Sequence, residues 1–271
     1  MKEKLWEASS SQKKNSHLSK YEQFISKKFK KNFNHKYENI LKWSIKNTGN
    51  FWSSLWDFLE IKGFKSKLKV KKSKIFYKNK FLPNSKLNFA ENLLSKNNKD
   101  KAITFISENN FREERSWYEL NLNVSKVFKF LKSIKIKKKD RVVAYMPNTI
   151  EAVEAFLASS SLGAIWSSCS PDFGFKGVVE RFSQINPKVL FVADKYFYNG
   201  KTINILERVP QILKEITSIK HVVIVNYPGE KYLRNKYKFK KIKVFKWNKL
   251  NQLKSEKIQF PKFDFEQELA I

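Results

Sequence analysis

Between Asp140 and Lys201 the hydrophobic period switches repeatedly, and the switches predict strand, helix, strand, helix, strand. Arg141 to Met146 is a short run with β-branched and aromatic residues, ended by Pro147 and Asn148. Asn148 followed three residues later by Glu151 has capping-box spacing, so a helix is expected to begin there. Its apolar face would hold Ile150, Val153, Phe156 and Leu157. The small residues Ala158 to Ser161 would allow close approach to a sheet, and Gly163 would stop the helix. Ala164 to Ser170 is almost unbroken in small or apolar side chains, as expected of a strand covered on both faces. The turn Ser170-Pro171-Asp172-Phe173-Gly174 leads into a helix over Phe175 to Ile185. Asn186-Pro187 closes it, and Lys188 to Asp194 reads as a third strand. Such short linkers around helices imply right-handed crossovers and a parallel sheet. Ligands of such sheets bind at the carboxyl ends of the strands, so function is expected in the turns after Met146, Ser170 and Asp194.

Elsewhere the pattern is less regular. Residues 1 to 40 are basic and only weakly helical, whereas Trp43 to Ile61 places Phe51, Trp52, Leu55, Trp56 and Leu59 at helical spacing. That segment reads as a helix packed on the main body, or as a surface helix resting on a membrane. Lys62 to Lys80 alternates loosely and suits an exposed hairpin with lysines on its wet face. A short helix through Phe89, Leu93 and Leu94 follows. A hairpin is expected over Ala102 to Ser107 and Phe111 to Ser116, then a helix over Trp117 to Ser133 burying Leu120, Val124, Val127, Phe128 and Leu131. Thr202 to Ile216 reads as a helix disturbed by Pro210, His221 to Asn226 as a buried strand, and Lys241 to Phe245 as another. FDFEQELAI then offers no closing element, which would leave a sheet edge exposed.

Composition adds bounds. The hydrophobic fraction is 41% with 15% aromatic residues, enough for a folded chain of 271 residues with an ample core. No stretch is long enough to span a bilayer, and the start lacks the apolar core of a signal peptide. One cysteine, Cys169, cannot form an internal disulfide, so a cytoplasmic location is expected. The net charge of +30 would attract polyanions non-specifically. Only six of the 55 basic residues are arginine, the residue suited to bidentate phosphate and base reading. Lys, Asn, Ile and Phe are all abundant and share A- and T-rich codons, so biased nucleotide composition accounts for the charge without specific nucleic-acid binding.

Catalytic constellations are mostly absent. His17, His35 and His221 are scattered, and no cysteine–histidine spacing suits zinc. Ser159, Ser160, Ser161, Ser167 and Ser168 lack the G-x-S-x-G elbow. No P-loop and no G-x-G-x-x-G follows a strand. One local pattern goes further. Tyr198-Asn199-Gly200-Lys201, placed between the third strand and the expected helix, offers a cap, a close backbone approach and a positive charge at a helix amino terminus. It suits a phosphate, or it is an ordinary turn with an exposed lysine.

The segment NTIEAVEAFLASSSLGAIWSSCSPDFGFKGVVERFSQINPKVLFVADKYFYNGK, with LWEAS, KWSIKNTGNFWSSLWDF and LNFAENLL before it, resembles the acetoacetyl-CoA synthetase branch of the adenylate-forming superfamily. The likeness runs in order along nearly the whole chain. It implies an α/β fold: a partial doubly wound parallel sheet flanked by helices, preceded by a mainly helical cap region. Residues 1–100 would form that cap and 101–271 the first part of the AMP-binding domain, broken off before the phosphate loop. The activity implied is ATP-dependent acetoacetate–CoA ligation through an acyl-adenylate, with CoA and Mg-ATP as cofactors. The ATP site and catalytic lysine would lie outside this chain, with a separately encoded carboxy-terminal half as a candidate partner, leaving no catalytic residue here and an inactive fragment. A stand-alone CoA-binding module is the alternative, as is non-specific nucleic-acid binding through the lysines. The resemblance places CoA against Ser170 to Phe173 and Tyr198 to Lys201. The residues named for it are Asp172, Phe173, Tyr198, Gly200 and Lys201, although Pro171-Asp172 replaces a glycine pair and Tyr198 an arginine of the relatives.

Overall fold

The computed structural model describes residues 5–229, 239 and 241–271, so most of the basic run after Gly229 lies outside the described residues. The chain separates into two compact units, Met1–Leu87 and Asn88–Ile271.

The first unit is more helical at its start than the sequence pattern suggests. Helices α1 (Ser10–Asn15), α2 (His17–Phe29), α3 (Tyr37–Lys46) and α4 (Thr48–Phe58) cover most of residues 10–58. The single helix expected over Trp43 to Ile61 is two helices divided at Asn47, which lies outside helical geometry with φ −122°. Side-chain caps explain why polar α1 and α2 form at all: Ser9 and Ser16 accept from the backbone N–H groups of Gln12 and Ser19. Tyr21, Ile25, Phe33, Ile40 and Trp43 make a small core, and Phe51, Leu55 and Phe58 of α4 pack on it. Tyr21 also bonds the fully buried Ser54 hydroxyl at 2.8 Å. Two nested antiparallel ladders follow. Strand β1 (Gly63–Phe64) and β2 (Val70–Lys71) pair respectively with β4 (Lys86–Leu87) and β3 (Lys80–Phe81), so the expected lysine-rich hairpin is present.

The second unit opens with α5 (Phe89–Leu93), capped by Asn88, and the hairpin β5 (Lys101–Ile106) with β6 (Arg112–Ser116). Helix α6 spans Trp117–Ser133 as its period predicts, and a reciprocal Ser116–Glu119 capping box starts it. Then come β7 (Arg141–Tyr145), α7 (Ile150–Ser161), β8 (Ile165–Cys169), α8 (Phe175–Phe182) and β9 (Val189–Ala193). A 3-10 turn, Ser183–Ile185, and left-handed Asn186 end α8 earlier than expected. The remaining elements are β10 (Lys195–Tyr198), β11 (Lys201–Asn204), α9 (Val209–Glu215), β12 (His221–Val225), β13 (Lys243–Lys246), α10 (Trp247–Asn251) and β14 (Phe263–Asp264).

Five strands make one parallel sheet in the order β13-β12-β9-β7-β8. Every residue of β9, and all of β7 and β12 after their first residues, is buried, which is why these strands read as continuous apolar runs. The step from β7 to β8 and the step from β8 to β9 run in opposite directions. Right-handed crossovers therefore put α7 and α8 on opposite faces, and a crevice opens at the carboxyl ends between β7 and β9.

Several expectations need correction. Thr149, not Asn148, is the N-cap of α7, and no side-chain capping bond forms. Val153 is 37% exposed, while Glu154 is fully buried in its place. The helix expected over Thr202 to Ile216 is strand β11, a 3-10 turn at Leu206–Arg208 and the short α9, whose second residue is Pro210. Proline there needs no N–H partner, so it fits the first turn rather than disturbing an interior. The β8 edge of the sheet is covered in part. Trp166 N donates to Leu269 O at 3.1 Å and Ile271 N to Trp166 O at 2.9 Å, so residues 269–271 run along β8.

Candidate functional site

Tyr145, the last residue of β7, is completely buried and points its hydroxyl at the loop after β8. Its OH donates to Phe173 O at 2.6 Å and lies 3.2 Å from Pro171 O. Arg208, in the 3-10 turn before α9, directs Nη1 at the same place: 2.6 Å to Tyr145 OH, 3.0 Å to Pro171 O and 3.3 Å to Phe173 O. Burial pushes the Tyr145 phenol above its usual range, against the opposing pull of Arg208, so it remains a donor at neutral pH. Within the loop, Ser170 Oγ donates to Asp172 Oδ2 at 2.8 Å and Phe173 N to Ser170 O at 3.2 Å. The Phe173 ring lies under the Arg181 guanidinium, 4.0 Å from centroid to carbon. A loop without a glycine pair is thus held by backbone carbonyls converging on one cation.

The second predicted segment has a different form from the one expected. Tyr198-Asn199-Gly200-Lys201 is the tip of the β10–β11 hairpin, with Tyr198 paired to Lys201. Asn199 and Gly200 have φ of 48° and 71°, the mirror-image turn that matches strand twist in two-residue hairpins. Lys201 opens strand β11 and not a helix, and among the described residues it has no helix amino terminus beside it in the chain, so the expected phosphate site on a helix dipole is replaced by a hairpin tip. Tyr198, Asn199, Gly200 and Lys201 are all exposed. Tyr196 of β10 interacts with Asp172, which sets the base of the hairpin against the β8 loop. Burial is the main reason the Tyr196 phenol is raised, with the negative Asp172 adding to it. The base of the hairpin that carries the second predicted segment therefore lies against the loop that carries the first, while the tip itself, Tyr198 to Lys201, is exposed. Asp194, at the foot of the same hairpin, is buried; its Oδ1 accepts from Tyr227 N at 2.8 Å, and burial raises its pKa.

Sequence reasoning missed Arg208, Tyr145 and Tyr196. Nothing local marks them, apart from Tyr145 closing a strand and Arg208 being one of few arginines. The serines are structural, as their spacing suggested: Ser159, Ser160 and Ser161 donate to the carbonyls four residues earlier in α7, at 2.7–2.8 Å. Away from the crevice, Glu154 Oε1 accepts from Asn123 Nδ2 at 2.9 Å and lies 3.5 Å from Arg115 Nε, while Arg115 also pairs with Glu113 at 2.5 Å. Burial pushes the Glu154 carboxyl to about 8. Among the described residues no group of three or more His, Cys, Asp or Glu could hold a metal.

Residues 91–258 match the family model described as AMP-binding enzyme. The acetoacetyl-coenzyme A synthetase of Rhizobium meliloti is 38% identical over 194 residues, covering 72% of this chain and 30% of the relative. The acetoacetyl-CoA synthetase of Macaca fascicularis is 36% identical over 238 residues, covering 85% of this chain and 34% of the relative. This chain therefore spans about a third of the length of the curated relatives it matches. The solved acetoacetyl-CoA synthetase from Streptomyces lividans superposes with a TM-score of 0.86 at 22% identity, over 98% of this chain and 40% of that one, a likeness of fold. With the family model spanning well over half its residues, this chain belongs to the AMP-binding enzymes.

Proposed function

We propose that this chain supplies the CoA-facing edge of an ATP-dependent acetoacetate–CoA ligase. The observation that carries the reading is the junction just described: the β8 loop and the β10–β11 hairpin, tied together through Tyr196–Asp172 and held by Tyr145 and Arg208. The exposed Lys201 offers a point charge for a phosphate of CoA, and Gly200, whose Cβ would meet nothing within 4 Å, leaves room for close approach. Asp172 and Tyr198 line the same edge, and the Phe173 ring gives a flat surface stiffened by Arg181. The departure of Pro171-Asp172 from a glycine pair is offset by the Arg208 clamp, which holds the loop from behind.

The sequence contains no glycine-rich phosphate loop of the type that holds a triphosphate, so acyl-adenylate formation is assigned to residues outside this chain. Magnesium would act with those residues. Here the contribution is positioning and charge stabilisation of the thiol-bearing substrate. A soluble, cytoplasmic setting follows from the same reading.

Titration calorimetry of the purified chain with CoA tests it. The wild type should bind, Lys201→Glu should bind about tenfold more weakly, the order of one charge-assisted contact, and Arg208→Met should weaken binding while lowering the enthalpy. Absence of heat with the folded wild type, or equal affinity in Lys201→Glu, would remove the CoA assignment.

A further inference from the structure

The loop joining β2 to β3 in the first unit reads Lys72-Ser73-Lys74-Ile75-Phe76-Tyr77-Lys78-Asn79. Its tip is a 3-10 turn over Phe76–Lys78, and it holds Phe76 and Tyr77 at 90% and 80% exposure with Ile75 also exposed. Three apolar side chains at the apex of a hairpin lose contact with water only when something covers them. Phe76 also borders an open groove of about 440 Å³ lined by Ile45, Phe51, Trp52, Val70 and Phe81. Exposed apolar surface thus continues from the loop tip onto the α3–α4 face, where Ile45 and Trp52 are exposed as well.

Charge along the segment that carries this tip is of one sign. Residues 61–87 contain ten lysines and no aspartate or glutamate, and no arginine occurs before Arg112. Lys65 and Lys69 are engaged with Asp57 and Asn50, but Lys67, Lys71, Lys72, Lys74 and Lys78 are exposed and make no ion pair among the described residues. Lysine excess from nucleotide bias explains their number. It does not explain why this stretch has no acidic residue, or why three of the lysines bracket an apolar tip.

We propose that this loop and the adjoining groove dock on an anionic lipid surface, with Ile75, Phe76 and Tyr77 entering the interface and Lys72, Lys74 and Lys78 meeting the headgroups. Lysines near an anionic leaflet strengthen adsorption by about fivefold each, and an apolar tip at interfacial depth adds a part that salt does not screen. Lysine is a strongly hydrated point charge suited to diffuse headgroup charge, whereas bidentate phosphate reading by a nucleic-acid module needs arginine, which this unit lacks.

Co-sedimentation of the full chain with phosphatidylcholine vesicles, with and without about one-third phosphatidylserine, tests the proposal at moderate salt. Binding should be at least about tenfold tighter to the anionic vesicles. Lys72→Glu/Lys74→Glu/Lys78→Glu should abolish it. Phe76→Ser/Tyr77→Ser should remove the salt-resistant part with unchanged circular dichroism and melting, because both side chains are exposed. No binding, or equal binding to both vesicle types, overturns the proposal. So does binding indifferent to Phe76→Ser/Tyr77→Ser, which reports charge alone, or tighter binding of single-stranded RNA at matched phosphate concentration.

Discussion

At the residue scale, the most consequential departures from pattern involve polar groups inside the second unit. Glu154 occupies a core position of α7 that periodicity would have given to Val153. Removing a carboxylate from water costs more than Asn123 and a 3.5 Å Arg115 contact return, so the folded state binds a proton that the unfolded chain releases. The ordinary carboxyl pKa is 4.5 and the folded value about 8. The folded state therefore holds more protons between those values, and stability falls as pH rises from the first to the second. Glu154→Gln keeps the Asn123 bond and removes the charge. Urea melts from pH 5 to 9 should show the wild type losing a few kcal/mol across that range and the variant losing distinctly less. Parallel slopes would mean that Glu154 stays ionised.

At the element scale, the hairpin tip shows how one backbone conformation decides what a motif can do. Gly200 has φ 71° and free space around the position of a Cβ, so its requirement is conformational and not steric. Gly200→Val should destabilise by about 1–3 kcal/mol, the cost of a β-branched residue held at positive φ, whereas Gly200→Asn should recover most of that. Thermal melts of the two variants separate backbone strain from crowding, since crowding would penalise both. The α6 capping box is its counterpart in a helix: Ser116 and Glu119 lie within one turn, so a local bond starts the helix that the apolar period predicted.

At the scale of the molecule, residues 269–271 cover part of the β8 edge, and the side chains gathered at the carboxyl ends of the strands, Tyr145 and Arg208 among them, hold one another and the β8 loop. Incubated by itself with acetoacetate, ATP and CoA, the chain is expected to yield neither AMP nor thioester by chromatography. Turnover by the isolated chain would place the ATP-handling groups within it and overturn the division of labour proposed above.

The parallel strands, α6, the β5–β6 hairpin and the β8 loop were readable in the sequence because each rests on local period, caps and turn residues. The Trp43–Ile61 and Thr202–Ile216 segments misled because short apolar spacing fits a broken helix or a hairpin as well as a continuous helix. Sequence alone determined which strands are buried and which turns lie at their carboxyl ends. Only the tertiary structure decided that Arg208, 37 residues beyond Pro171, holds the β8 loop, that Tyr196 joins that loop to the hairpin, and that Glu154 faces inward. The physical reason is range: periodicity and capping act over one or two turns, whereas a guanidinium meeting two carbonyls depends on how three crossovers stack the strands that carry them.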